Sequence, residues 1–185
     1  MIDKSTGCIG DNDPIDICEL GSVKQERGSV ISVKVLGSLG LIDEGEADWK
    51  VLVINVNDPL ASKLNDLNDL DNEMPGILEA TRDWFKIYKV PDGKPPNKFA
   101  LNGKFFDRDF SLDLIKHAHQ AWHSLTKQEY NEKISLLNTR LNNKHTITNE
   151  KALGILEETN RSLNDFEKKP FIEKVHYIER SKLVN

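Results

Sequence analysis

The hydrophobic and polar positions of the chain follow two periods, and the first is the period of β-strands. Between residues 30 and 56 apolar and polar residues alternate, as in VISVKVLG, where valines fall on one side and a serine and a lysine on the other. The run KVLVINV, residues 50–56, is rich in β-branched residues and ends at the turn signal Asn-Asp-Pro. We predict two strands here, with GLIDEGEADW, residues 40–49, between them.

After residue 59 the period lengthens to that of helices. The leucines of ASKLNDLNDL are three apart and predict a short helix, and PGILEATRDWFKIYKV, residues 75–90, predicts a longer one that begins at a proline. Residues 90–97, VPDGKPPN, are typical of a loop. DFSLDLIKHAHQAWHSL, residues 109–125, predicts an amphipathic helix. Its apolar face would carry Leu112, Ile115, His119 and Trp122.

From residue 126 onward the chain is polar and rich in lysine and glutamate, although its period stays helical. We therefore predict a first domain over residues 1–125 and a helical C-terminal extension over residues 126–185. The extension contains no cluster of residues that indicates chemistry. We expect its helices to pack on the first domain or to form a loosely attached tail.

Composition and charge narrow the possible partners and the compartment. The 185 residues carry a net charge of −5, which disfavours duplex nucleic acid as a partner. Two cysteines are too few for a disulfide framework and fit a reducing compartment. The first residues lack the apolar core of a signal peptide, and no segment is apolar for long enough to span a bilayer. These features predict a cytoplasmic protein that binds neither nucleic acid nor membrane.

Two clusters of carboxylates are the main candidates for chemistry. One lies in GDNDPIDICELG, residues 10–21, and the other in IDEGEADWK, residues 42–50, and we predict both on turns beside strands. Converging carboxylates raise one another's pKa, so such a site persists when a cation fills it, and hard oxygen ligands select Mg²⁺, Mn²⁺ or Ca²⁺. The members are Asp11, Asp13 and Asp16 in the first cluster, and Asp43, Glu44, Glu46 and Asp48, followed by Lys50, in the second.

Plainer explanations exist for these residues. Aspartates near glycine and proline are common turn residues, and here they could belong to a binding module. A calcium loop of the EF-hand type is excluded, because positions 5, 6 and 12 counted from Asp11 hold Ile15, Asp16 and Ser22. Considered alone, Lys50 could be a solvated charge that opens a strand, and Tyr88 could be ordinary core.

A histidine pair on the predicted helix of residues 109–125 is a further candidate. His119 and His123 are four residues apart and could share a helix face, as zinc ligands do. No third ligand and no glutamate stand where a zinc enzyme of this type needs them. A surface or half-buried helix explains the two histidines.

Three segments resemble, in order, the motifs of one enzyme family. The run Asp11-Asn12-Asp13-Pro14-Ile15-Asp16 resembles the signature of family I soluble inorganic pyrophosphatases. VKVLGSLGLIDEGEADWKV, residues 33–51, is similar to the second acidic segment of that family, and WFKIYKVPDGKPPNKFA, residues 84–100, to the segment with its tyrosine–lysine pair. The similarity, from about residue 6 to 125, is to the animal and fungal branch. It implies an α+β, β-rich fold, a small OB-like β-barrel with flanking helices.

The resemblance also implies an activity and a set of residue roles. The implied activity is Mg²⁺-dependent hydrolysis of inorganic pyrophosphate to two phosphates, by in-line attack of a metal-activated water. Several Mg²⁺ ions would bind in each site, and Mn²⁺ could replace them. Residues that match metal ligands are Asp11, Asp16, Asp43 and Asp48; Asp13 matches the residue that accepts a proton from water; Lys50, Tyr88 and Lys89 match residues that hold phosphate.

The chain departs from the family pattern at its N-terminal side. Family members carry a long segment before the signature, with barrel strands and further substrate-binding residues, whereas nine residues precede Gly10 here. We expect a truncated chain whose barrel is incomplete on that side. The family's homodimer contacts also draw on that segment. Two hypotheses follow: a pyrophosphatase or its metal-binding part, or a non-catalytic homologue that binds metal and acts as a binding or regulatory protein.

Overall fold

The fold is described here from a computed structural model of the chain. The structure describes residues 3, 5–11, 13–127, 135, 137–140 and 142–164, with side chains as far as residue 159. The chain divides into two compact units whose boundary lies between Ala121 and Trp122. The domain boundary that the sequence suggests, between residues 125 and 126, stays a prediction.

The first unit is built on one mixed sheet of six strands. A long antiparallel hairpin of β3 and β4 forms its centre, and β1 and β2 pair in parallel with the outer edge of β4. The short strands β5 and β6 pair antiparallel with the other edge of β3. The strands are β1 (Ile9–Gly10), β2 (Asp16–Glu19), β3 (Val33–Asp43), β4 (Glu46–Asn55), β5 (Lys98–Phe99) and β6 (Phe105–Phe106).

Among the described residues this sheet does not close into a barrel. The pairing path runs from the N-terminal strands through β4 and β3 to β5 and β6, and no pairing joins its two edges within the described part of the chain. The expectation of an incomplete β-barrel with flanking helices is therefore confirmed. The open edge formed by β1 and β2 is the N-terminal side of the sheet.

The helices follow the periodic segments. The bounds are α1 (Leu67–Glu73), α2 (Ile77–Ile87), α3 (Arg108–Thr126) and, in the second unit, α4 (Asn149–Asn164). Helix α1 begins where the Asp66 side chain accepts hydrogen bonds from two backbone amides of the first turn. The loop at residues 90–97 begins with a short 3-10 turn. The C-terminal extension was predicted to be helical, but most of residues 128–141 lie outside the described residues, and Asn138 forms an isolated bridge with Thr146.

The segment predicted to lie between the first two strands belongs instead to the hairpin itself. Only Glu44 and Gly45 form the turn, both with positive φ, at 51° and 97°. The residues on either side continue β3 and β4, and the stretches 36–41 and 49–54 are buried throughout. The prediction was wrong because strands buried on both faces lose the alternation that marks a half-exposed strand.

Pairing register decides which residues share a face of the sheet. Directly paired residues point to the same side, and Asp16 pairs with Lys50, Cys18 with Leu52 and Leu39 with Lys50. We call this side the site face. Its charged end consists of Asp16, Asp48 and Lys50, and its apolar end consists of Leu36, Leu52 and Ile54, which pack with Leu64, Leu70 and Leu78 from the segments that follow β4.

Helix α3 packs on the opposite face of the sheet. The Ser111 hydroxyl donates a hydrogen bond to the Ser38 hydroxyl at 2.9 Å, and both residues are fully buried. The apolar stripe predicted for this helix was wrong, since Leu112 and His119 are exposed. The line of buried and half-buried residues is rotated by about one position, because the helix contacts the sheet through Ser111. It consists of Ser111, Leu114, Ile115, Ala118 and Ala121.

None of the helices in the described part of the chain combines the length and the apolar character needed to cross a membrane.

Candidate active site

A buried lysine holds two aspartates together at the charged end of the site face. Lys50 lies in the middle of β4 and is only 4% exposed, so the alternative of a solvated charge that opens a strand was wrong. Its ammonium donates to both carboxylate oxygens of Asp48 at 2.6 Å and also to Asp16 Oδ2. The parallel register of β2 on β4 places Asp16 opposite Lys50, and Asp48 precedes Lys50 by two residues on the same face.

The electrostatics of this cluster reflect an excess of carboxylates. Burial raises the pKa of Asp48 above its ordinary value, and the charges of Asp16 and Asp11 raise it further, although Lys50 opposes the shift. Burial alone would lower the pKa of Lys50, but its hydrogen bonds and ion pairs with Asp16 and Asp48 outweigh burial and raise it. The cluster therefore keeps its ammonium charged and favours further positive charge.

The first acidic cluster lies at the rim of a cavity of about 580 Å³. Asp11 accepts a hydrogen bond from the Asp13 backbone amide at 3.0 Å, which makes a tight turn, and the Asp13 side chain is exposed. Asp16 and Asp48 line the same cavity. Four of the predicted site residues thus line one cavity together with Trp49 and residues of helix α3, whereas Asp43, Lys50, Tyr88 and Lys89 are not among its lining residues.

A second ion pair lies on the same sheet face. The Lys89 ammonium donates to Asp43 Oδ2, and this interaction raises the pKa of Lys89. Asp43 is the last residue of β3 and points to the same side as Asp48, because strand parity and the pairing of Asp48 with Leu41 place them together. Lys94 and Glu44 form a further, exposed pair at the hairpin turn. Asp16 of the first cluster and Asp43 and Asp48 of the second cluster therefore lie on one face of the sheet.

Tyr88 ends helix α2 beside this second ion pair. It is half-buried and packs against the cluster of Leu39, Leu41 and Phe85, so part of its ring does serve the core. Its ring also lies under the Lys89 ammonium at 5.5 Å and stacks on Trp84. The sequence signal for this contact is the spacing of four residues between Trp84 and Tyr88, which places both rings on one side of a helix.

The carboxylates fit a hard divalent cation in their chemistry. Oxygen donors select Mg²⁺ or Ca²⁺ over softer metals, and Asp16 and Asp48 already converge on one point charge, the Lys50 ammonium. Among the described residues, however, no group of three or more His, Cys, Asp or Glu side chains lies close enough together to hold a metal. The donor set therefore fits such an ion, while the Lys50 ammonium lies between Asp16 and Asp48 and the Lys89 ammonium is paired with Asp43.

Comparisons with known proteins identify the family of this site. The sequence profile described as inorganic pyrophosphatase matches residues 2–123. The chain belongs to the inorganic pyrophosphatase family. It is 59% identical to the inorganic pyrophosphatase of Homo sapiens over 140 residues, which are 75% of this chain and 48% of the human protein. The chain spans about half the length of the curated relatives it matches.

Solved structures of the family share the fold. The inorganic pyrophosphatase of Schistosoma japonicum matches with a TM-score of 0.67 and 59% identity, over 68% of this chain and 44% of that one. A truncated vacuolar soluble pyrophosphatase of Trypanosoma cruzi, solved in complex with PPi, matches with a TM-score of 0.66 and 43% identity, over 69% and 48% of the two chains. The predicted family and fold class are confirmed. The residue roles stay predictions.

Proposed function

We propose that this chain carries the catalytic site, or a large part of it, of a Mg²⁺-dependent enzyme that hydrolyses inorganic pyrophosphate to two phosphates. The observation that supports this most directly is the shared sheet face on which Asp16, Asp48 and Lys50 meet, with Asp43 and Lys89 next along it. Carboxylates interleaved with ammonium groups suit a substrate that is strongly anionic and arrives with divalent cations.

The side chains of the site would have different roles, according to their chemistry. Lys50 and Lys89 supply compact positive charges for phosphate oxygens, and Tyr88 supplies a hydroxyl donor beside Lys89. The exposed side chain of Asp13, which lines the cavity, can accept a proton from the attacking water. Water would attack phosphorus in line with the leaving phosphate, without a covalent phosphoenzyme.

Asp11, Asp16, Asp43 and Asp48 are the residues that would hold the metal ions. When bound, Mg²⁺, or Mn²⁺ in its place, would neutralise the phosphate charge and lower the pKa of the attacking water. Lys50 and Lys89, which are now paired with these carboxylates, would contact the phosphate oxygens.

A second candidate function is a non-catalytic homologue that binds metal and acts through a partner. The observation that favours it is that no three acidic or metal-binding side chains converge within the described part of the chain. Asp16 and Asp48 would still provide a weak cation site. We also propose that the protein is located in the cytoplasm and that it forms the homodimer that the resemblance implies.

Phosphate release from pyrophosphate with excess Mg²⁺ tests the first proposal. We expect the chain to release phosphate and Asp13→Asn to lose about 10²–10⁴ of the rate, since that is the usual contribution of a positioned general base. Asp71→Asn is the matched control, because Asp71 is an exposed aspartate of α1 away from the site. Its rate should equal that of the unmodified chain.

Two other outcomes would redirect the assignment. Equal rates for the chain and Asp13→Asn would remove Asp13 from the proton transfer. No release above background, combined with Mg²⁺ binding that Asp48→Asn weakens, would support the non-catalytic homologue. Mg²⁺ binding can be followed by isothermal titration calorimetry.

A further inference from the structure

Three aromatic rings of the last turns of α2 form a contiguous group beneath the site. Trp84 and Tyr88 stack with ring centroids 5.0 Å apart and an interplanar angle of 15°. Trp84 also meets Phe85 edge to face at 4.9 Å, and Phe85 meets Tyr88 edge to face at 6.0 Å. Such arrangements match the preferred geometries of aromatic pairs. We call Trp84, Phe85 and Tyr88 the aromatic trio.

Both lysines of the candidate active site lie over rings of the aromatic trio. The Lys50 ammonium is 5.8 Å from the centroid of Phe85, and the Lys89 ammonium is 5.5 Å from the centroid of Tyr88. These distances are within the range of cation–π attraction. Rings of the trio therefore lie within cation–π range of both cationic groups that would bind phosphate.

Burial separates the members of the aromatic trio by role. Phe85 is 6% exposed and belongs to the core with Leu39 and Leu41. Trp84 is 57% exposed, so filling the core does not account for its large ring. Within the described residues, the Trp84 ring contacts the rings of Phe85 and Tyr88. The nearly parallel stack on Tyr88 restricts the tilt of the Tyr88 ring.

The backbone around Tyr88 is fixed without help from the Trp84 side chain. The Asn97 side chain donates to the Phe85 carbonyl at 2.9 Å, and the Asn97 backbone amide donates to the Lys86 carbonyl at 2.8 Å. The Lys89 carbonyl accepts a hydrogen bond from the Asp92 amide at 3.1 Å. Loss of the Trp84 ring would therefore leave the helix end in place and free only the side chain of Tyr88.

We propose that Trp84 is a positioning residue, which holds the Tyr88 ring so that the Tyr88 hydroxyl and the Lys89 ammonium are presented together to phosphate oxygens. This inference rests on the proposed function, because it assigns a role in substrate binding to that same site. Trp84 does not itself touch the substrate. It acts through the stacked ring, and any ring of similar breadth should replace it in part.

Two variants distinguish the effect of the aromatic ring from that of its apolar volume. Trp84→Leu keeps an apolar side chain without a ring, and Trp84→Phe keeps a ring. We expect Trp84→Leu to weaken binding of imidodiphosphate, a non-hydrolysable pyrophosphate analogue, about two- to tenfold in the presence of Mg²⁺, which is the range of an aromatic pair. KM for pyrophosphate should rise by the same factor, with kcat changed less than about twofold. Trp84→Phe should restore most of the affinity.

Trp122→Leu is the matched control, because Trp122 is a tryptophan of similar exposure, 54%, on α3. Its affinity should equal that of the unmodified chain. The thermal unfolding midpoint of Trp84→Leu should fall no more than that of Trp122→Leu. Unchanged affinity in Trp84→Leu would overturn the inference, and so would a phenylalanine variant as weak as the leucine variant.

An NMR measurement keeps the test separate from the proposed function. The ring of Tyr88 should shift the ε-methylene protons of Lys89, and Trp84→Leu should move those resonances towards their positions in an unstructured peptide, whereas Trp84→Phe should not. If the unmodified chain binds no imidodiphosphate, the proposed function fails, and these resonances alone decide whether Trp84 positions the two side chains. Resonances that are identical in all three chains would overturn the inference.

Discussion

The two ends of the site face use alternate residues of the same strand for opposite purposes. At the apolar end, Leu52 and Ile54 of β4 are fully buried in a leucine-rich core. At the charged end, Asp48 and Lys50 continue the same alternation and point to the same side. Lys50, at 4% exposed, is almost as buried as the leucines, but it is surrounded by carboxylates.

This difference shows how one strand can change from apolar core to a charged cluster within two residues. Burying an ammonium is costly unless partners neutralise it, so a sequence keeps one at a core position only where carboxylates are within reach. Asp16 and Asp48 provide them here, and they come from a neighbouring strand and from the same strand. The charged end is therefore stable only when the ammonium and its carboxylates are all present. Each leucine of the apolar end, by contrast, stabilises the fold by its own burial.

The largest effect should come from the apolar end. Leu52→Ala leaves a cavity in the fully buried cluster, and we expect the free energy of unfolding to fall by about 4 kcal/mol. Urea unfolding followed by circular dichroism measures the change. Ile17→Ala is the control, because Ile17 is 50% exposed on the adjacent strand and should cost less than about 1 kcal/mol. Equal costs would mean that the apolar end is not a packed core.

The next effect tests whether the charged end depends on its ammonium. Lys50→Met keeps an unbranched apolar side chain but leaves Asp48 and Asp16 without their partner, and we expect the free energy of unfolding to fall by about 3 kcal/mol at pH 7. Millimolar Mg²⁺ should recover part of that loss, because a divalent cation can replace the missing charge. The measurement is urea unfolding with Mg²⁺ or with EDTA.

A more stable Lys50→Met variant would contradict the account of the charged end. It would show that the carboxylates are solvated well enough to need no cation. If Mg²⁺ does not reduce the loss of stability in Lys50→Met, the ion does not bind where the Lys50 ammonium lies.

The hydrophobic pattern predicted the long helices. It did not predict very short strands, or the bounds of strands that are buried on both faces, because neither shows a period. Helices α2 and α3 were predicted within a few residues, because each carries several turns of pattern. Strands β1, β5 and β6 have two residues each, which is too short for any period. The hairpin turn at Glu44 was hidden in a run of acidic residues that suggested a longer loop.

For the site, the sequence indicated which residues to consider but not how they meet. The resemblance pointed to Asp16, Asp48 and Lys50 together. One ammonium joins both carboxylates because β2 pairs with β4 in a parallel register, which brings together Asp16 and Lys50, 34 positions apart in the chain. Local pattern carries no information on such a register. The four-residue spacing of Trp84 and Tyr88 allowed their rings to meet, but it did not show that they stack nearly parallel.

Asp58 sharpens the comparison, because it is a carboxylate of the first unit whose role is structural. Its oxygens accept hydrogen bonds from the backbone amides of Leu60 and Ser22, at 2.9 and 2.7 Å, and these bonds lower its pKa. A lowered pKa in the folded state means that its stabilisation is complete above the ordinary value of 3.8 and is lost as pH falls through the folded value.

We therefore expect Asp58→Asn to unfold at a lower temperature than the unmodified chain at pH 7, with a smaller change than Lys50→Met. The gap between the unfolding midpoints of Asp58→Asn and the unmodified chain should narrow below about pH 4, since the protonated aspartate accepts hydrogen bonds no better than asparagine does. Thermal unfolding at a series of pH values measures this gap. A gap that stays constant down to pH 2 would show that the carboxylate charge does not matter, in contrast to the charged end.

The smallest effect should come from Lys94→Met, which removes an ion pair without burial. Lys94 and Glu44 have side chains that are 53% and 70% exposed, against 5% for Lys50, so water already solvates both charges. We expect the free energy of unfolding to change by about 0.5 kcal/mol or less, and the change to vanish at high salt. Lys63→Met, which breaks the exposed pair with Glu73, should behave alike. A loss from Lys94→Met as large as that from Lys50→Met would mean that strand position, rather than burial, decides what an ion pair contributes in this sheet.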